Sequence, residues 1–95
     1  MVGAGNLEVE YVEIYNQSNG AVDLTGWQLL NEAGQRFLFP TLILNSDGAI
    51  EVHSKAGKHT VIELYWQAGS PIWKSGEMVT LLDNVGKTMA TYSIP

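Results

Sequence analysis

The stretch VDLTGWQLLNEAG, Val22 to Gly34, decides how the rest of the chain is read. It is short, alternating and interrupted by Gly26 and Gly34, and a large aromatic, Trp27, directly follows the first interruption. Apolar–polar alternation between glycine-bearing turns is a strand pattern, not a helical one. Trp27 is then either a wall of a β core or an exposed platform for a sugar, base or peptide. It is read as core: Leu24, Leu29, Phe37 and Phe39 have the alternation needed to pack around it, and a large aromatic buries some 150–250 Å². Its replacement by alanine is expected to cost about 3–5 kcal/mol.

The same pattern extends in both directions. LEVEYVEIYN, Leu7 to Asn16, reads as the first strand, but its phase is mixed. Leu7, Val9, Tyr11 and Tyr15 share one face, while Val12 and Ile14 share the other with Glu8 and Glu10. A bulge near Tyr11 would reconcile the two, because one extra residue inverts the alternation. NQSNG is a turn. AVDL and GWQLLN are two short strands hinged at Thr25-Gly26, and QRFLFP turns Phe37 and Phe39 to one side before Pro40 ends it. TLIL, AIEVHS, HTVIELYW, MVTLLDN and TMATYSI complete nine or ten short strands, which predicts an all-β sandwich, with a small closed barrel as the alternative. MVGAGN, residues 1–6, reads as a flexible leader to one domain over residues 7–95. Glu8, Glu10 and Glu13 are expected to guard an exposed strand edge against self-pairing.

Ten acidic residues against five basic ones leave a net charge of −5. Nucleic acid binding needs clustered lysine and arginine, and only Lys55, Lys58 and His59 gather locally. No apolar run has the length of a membrane span. With no cysteine in the chain, packing and backbone pairing carry the stability, and no thiol nucleophile exists. No nucleophile elbow, phosphate-binding loop or dinucleotide fingerprint occurs, so no catalytic or cofactor-binding residue is assigned. The best metal constellation is Glu51 with His53, joined by His59 or Glu63 across the turn at Lys55–Lys58. A solvated polar strand pair is the reading preferred for it, so no metal is assigned.

EYVEIYN (Glu10–Asn16), VDLTGWQL (Val22–Leu29), RFLFP (Arg36–Pro40), NSDG before AIEV, and IWKSGEMVTLLDNVGK (Ile72–Lys87) follow one another in an order that resembles the lamin tail domain. That family is the immunoglobulin-like module at the end of nuclear intermediate filament proteins, with prokaryotic relatives that are accessory modules of larger, often exported proteins. The resemblance implies an immunoglobulin-like β-sandwich without catalytic activity. It also implies an interaction or targeting role toward a protein partner or a neighbouring domain of a parent chain, at the cell exterior or envelope. The family's module opens with a further strand before EYVEIYN; here GNLEV offers a shortened one, and the edge this leaves could pair with a second copy. The family's basic, DNA-contacting surface does not carry over to this acidic chain.

A carbohydrate-binding module is the competing reading, because Tyr65, Trp66 and Trp73 lie close together around the Gly69-Ser70-Pro71 break. Two coplanar, exposed rings there would stack on a glycan, whereas an aromatic cluster closing one end of the sandwich would not. A nucleic-acid accessory role ranks third. For protein contacts the candidates are Tyr15 and Val61, expected to face outward, and Tyr92, whose phase is less defined, together with Tyr65, Trp66 and Trp73.

Overall fold

The computed structural model describes all 95 residues, Met1–Pro95. Nine strands form, and no helix: β1 (Tyr11–Tyr15), β2 (Val22–Asp23), β3 (Gln28–Leu30), β4 (Arg36–Leu38), β5 (Ile43–Leu44), β6 (Ala49–His53), β7 (Glu63–Tyr65), β8 (Met78–Leu82) and β9 (Thr88–Ser93). One sheet runs β1-β6-β7, a second runs β4-β3-β8-β9, and β2 pairs with β5 as a ribbon. Their apolar faces meet in a single core to which both sheets contribute, from Val12, Ile50, Val52 and Leu64 on one side to Leu29, Phe37 and Val79 on the other. This is the all-β sandwich that the alternation predicts, of the immunoglobulin-like kind that the family resemblance implies.

The opening stretch forms one arm of a long hairpin. Val22 faces Leu44 and Leu30 faces Arg36, with no residue gained or lost in between, so β2-β3 and β4-β5 share one register. The ladder breaks where Thr25-Gly26 lies opposite Pro40-Thr41, because proline has no N–H to give. Gly26 absorbs the break at φ +80°, in the left-handed region that other residues enter at a cost. A Cβ there would meet only Asn84 Cβ, at 3.4 Å. Gly26→Ala should therefore lose about 1–2 kcal/mol from backbone strain alone, readable as a lower chemical-denaturation midpoint at unchanged slope.

Asp23 braces the same kink by accepting the Thr25 N–H at 3.0 Å. Hydrogen bonding from the Thr25 side chain and then its backbone holds the Asp23 carboxyl below the ordinary aspartate range. The stabilising contribution is thus present above the unfolded-state pKa and is lost as pH falls through the lower, folded one. An NMR titration of the Asp23 carboxyl carbon should show that depressed midpoint, and Thr25→Ala should raise it.

The first strand is shorter than expected, and the difference resolves its mixed phase without a bulge. Only Tyr11–Tyr15 is strand. Leu7–Val9 forms a turn closed by Val9 N–H and Glu10 N–H on the Asn6 carbonyl, at 3.1 and 2.8 Å. Val12 and Ile14 then point inward, and Val9 is left exposed. The bulge of the fold lies elsewhere, at Leu81/Leu82 in the β8–β9 pair. Residues 1–6, expected to be a flexible leader, are tied down: Val2 and Tyr11 exchange both backbone hydrogen bonds, at 2.9 and 3.0 Å, and Met1 packs on the core.

Glu10 is the largest departure. Expected among the carboxylates guarding an edge, it has no exposed surface at all. One carboxylate oxygen accepts the Gly5 N–H at 3.0 Å. The other accepts the Ser54 hydroxyl and the N–H groups of Ile72 and Trp73, the last two at 2.7 and 3.3 Å. One buried side chain therefore joins the chain start, the end of β6 and the 72–73 segment. Glu8 and Glu13 are exposed as expected.

The tryptophan at the centre is also not the expected one. Trp27 is half-buried and packs on the edge of the core, whereas Trp73 lies within it at 2% exposure. Trp66 meets Trp73 edge to face at 5.9 Å and 85° and also touches Phe37 at 5.6 Å. The cause is the kink itself. Gly26 and the Trp27–Phe39 pairing turn the Trp27 indole to the border of the hairpin, while the Glu10 carboxylate draws the 72–73 backbone inward and carries Trp73 with it.

Candidate functional site

The residues singled out as an interaction surface do not form one patch. Tyr15 stands at the Ala49 end of the three-stranded sheet and Tyr65 at the His53 end. Tyr15 is 49% exposed, with its hydroxyl donating to Asp47 Oδ1 at 3.1 Å, and Val61 is 85% exposed just before β7. Tyr65 is half-buried and stacks on the His53 ring, and Trp66 is half-buried against the core. Trp73 is buried and offers nothing to a partner. The pair Trp66–Trp73 is perpendicular, with one ring enclosed, which is the aromatic closure of the sandwich and not a coplanar sugar platform.

A cleft that the sequence did not announce runs between the two sheets where β1 and β9 border them. Its floor is Leu29, Val79 and Leu81, and its walls are Val12 to Tyr15 on one side and Ala90 to Tyr92 on the other. It continues past Ile14 and Ala90 toward Val22, Leu24, Trp27 and Met89. Tyr15, Met89 and Tyr92, each close to half exposed, stand around it. The indole of the opening stretch is thus a lining residue of this second half.

Both strands bordering the cleft are sheet edges. Residues of an antiparallel strand alternate in the direction their backbone groups point. Tyr11 turns its N–H and C=O away from β6 to meet Val2, so Glu13 and Tyr15 turn theirs the same way, beyond the reach of the chain start. Every residue of β9 is exposed, so nothing packs closely over this edge strand. An uncovered edge beside an apolar floor is a template for an added strand.

Of the two metal constellations raised from sequence, the one completed by Glu63 assembles and the one completed by His59 does not. Glu51, His53 and Glu63 converge on the outer face of the β1-β6-β7 sheet. His59 is drawn elsewhere: its Nδ1 accepts the Tyr65 N–H at 3.1 Å and its ring meets Phe37 edge-on. The loop that carries it is held by close packing, since a Cβ on Gly57 would fall 2.5 Å from the Tyr65 ring. Gly57→Ala should therefore displace the 55–59 loop or the Tyr65 ring, a change visible as shifted Tyr65 and His53 ring resonances.

Buried polar side chains are the residues that sequence reasoning missed. Asn31 donates to the Ile72 carbonyl at 2.9 Å and clasps Gln35, and Glu77 accepts the N–H groups of Glu32 and Lys74. For Glu10 the signal was present, because it is in phase with Val12 and Ile14. All three serve the fold, and none of them lines the cleft between β1 and β9.

No helix of this protein is long and apolar enough to cross a membrane. No curated protein matches the chain. The model of the Lamin Tail Domain family matches residues 1–95, the whole chain. With its sandwich, the colinear motifs from EYVEIYN to DNVGK and the full-length match all in agreement, this chain belongs to the lamin tail domain family.

Proposed function

We propose that the protein is a non-catalytic interaction module that takes an extended segment of a protein partner along the cleft between β1 and β9. Membership of the lamin tail domain family supports an interaction module. The observation that carries the finer reading is the free edge of β1 beside an apolar floor. A segment laid there would bond to the Glu13 and Tyr15 backbone and seat alternate side chains against Leu81 and Ala90. Main-chain pairing supplies affinity in this mode, and the pockets for alternate side chains supply selectivity.

Selection from a displayed library of linear peptides tests this reading. Peptides that bind should protect the Glu13 and Tyr15 amides from hydrogen exchange. Ala90→Glu, which places a charge on the exposed cleft wall and leaves the core intact, should weaken them by roughly ten-fold or more. Binders that protect another surface, or that ignore Ala90→Glu, would sink the proposal. A concentration-dependent dimer in sedimentation with the same two amides protected would identify a second copy as the occupant.

A further inference from the structure

We propose that Glu51, His53 and Glu63 form a binding site for a divalent transition-metal cation, with zinc the best match. The site lies on the outer face of the β1-β6-β7 sheet, and it is independent of the cleft reading. Register builds it: Glu13, Glu51 and Glu63 form one row across the three strands, and Tyr11, His53 and Tyr65 form the next. Carboxylates placed directly opposite one another on neighbouring strands repel, so the row calls for a cation.

The protein's own cations do not supply it. No lysine or arginine nitrogen comes within 4.0 Å of any carboxylate oxygen, and both ion-pair contacts of the chain are made by His53. Its Nε2 lies 3.0 Å from Glu51 Oε1 and 3.3 Å from Glu63 Oε2. A single imidazole nitrogen carries one proton or one lone pair, so it cannot satisfy both carboxylates fully, whereas a metal ion at the same focus bonds to all three.

The geometry is close to a finished coordination shell. The three donor atoms lie within 4.8 Å of one another. Bonds of about 2.0–2.2 Å to zinc place tetrahedral donors about 3.3 Å apart, so small rotations of two partly exposed glutamates suffice. The imidazole is already oriented, stacked on Tyr65 at 5.2 Å and 20° and held from the other side by Tyr11 at 5.0 Å. A shallow hollow lined by Glu13, Glu51 and Glu63 exposes the carboxylate side of the cluster to solvent, so water would supply the fourth donor. One nitrogen with two carboxylates suits zinc, whereas calcium and magnesium prefer all-oxygen shells. The bound ion would clip β7, a strand of three residues, to β6.

Calorimetric titration of the full chain with zinc chloride tests this, beside melting curves with and without the metal. One zinc per chain is expected, with a higher melting temperature in its presence and no competition from excess magnesium or calcium. His53→Gln and Glu63→Gln should each weaken binding at least about ten-fold and abolish the zinc-dependent rise in melting temperature. His59→Gln should change neither. Metal-free melting curves establish that each variant folds; Glu63, a third exposed, carries the test alone if His53→Gln does not. The absence of stoichiometric uptake, or uptake unaffected by either substitution, or uptake lost only with His59→Gln, would overturn the proposal.

Discussion

Glu10→Ala is expected to cost about 3–5 kcal/mol, a large share of what holds a small domain together. The substitution leaves the Ser54 hydroxyl and the Ile72 and Trp73 N–H groups buried without their acceptor, and each such orphan costs roughly 1–3 kcal/mol before water enters the gap to relieve it. Glu10→Gln should cost less. It can keep an oxygen toward those three donors, but it turns its NH2 toward the Gly5 N–H, which also donates. Unfolding in urea followed by circular dichroism measures both. Hydrogen exchange should show the Gly5 amide opening first in the glutamine variant, with the Ile72 and Trp73 amides still protected. Glu8→Ala, at an exposed position in the neighbouring turn, should leave the midpoint unchanged; if Glu10→Ala did the same, the carboxylate would not be the tie described here.

Trp73→Ala is the second large effect, again about 3–5 kcal/mol, the range for emptying a core site of its largest aromatic. The ring is enclosed among both sheets and meets Trp66 edge-on, so its removal leaves a cavity that two paired layers cannot close. Trp27→Ala should cost less, since that indole is only partly buried at the border of the core and lines the cleft. Trp73→Phe separates volume from polarity. The Trp73 Nε1 atom is buried without a hydrogen-bond partner, so phenylalanine keeps most of the packing and removes an unsatisfied donor. It should fall well short of the alanine cost. Equal losses for Trp27→Ala and Trp73→Ala would contradict the assignment of Trp73 to the centre. Intrinsic fluorescence provides a second reading, with Trp73 emitting at shorter wavelength than Trp27.

The two predictions are connected, because Glu10 accepts the backbone N–H of Trp73 itself. A double variant should therefore lose less than the two single losses combined. The same connection explains how a chain without cysteine holds its irregular 72–76 segment: a carboxylate and the Asn31 amide supply the partners that a ladder would otherwise give.

Much of this was legible in the residues. Alternation in QRFLFP put Phe37 and Phe39 inside and Leu38 outside, and AIEVHS did the same for Ile50 and Val52. Pro40 ended its strand and Gly26 marked the kink. Such features are local, since a period of two and a missing N–H act within a few residues. The order of the motifs carried the family and with it the sandwich. Glu10 was half legible: its phase pointed inward with Val12 and Ile14, but its charge argued for the surface until its donors, 44 to 63 residues away, came into view.

What this sequence determined by itself is a set of short strands, the turns between them and the inward face of those whose alternation is clean. Tertiary structure alone decided which of three tryptophans occupies the middle, that two strand edges border an apolar cleft, and that Glu63 rather than His59 joins Glu51 and His53. The physical reason is the same each time. Strand phase is written in neighbouring residues, whereas sheet order and register bring together groups far apart in the chain, and no periodicity records which of them will meet.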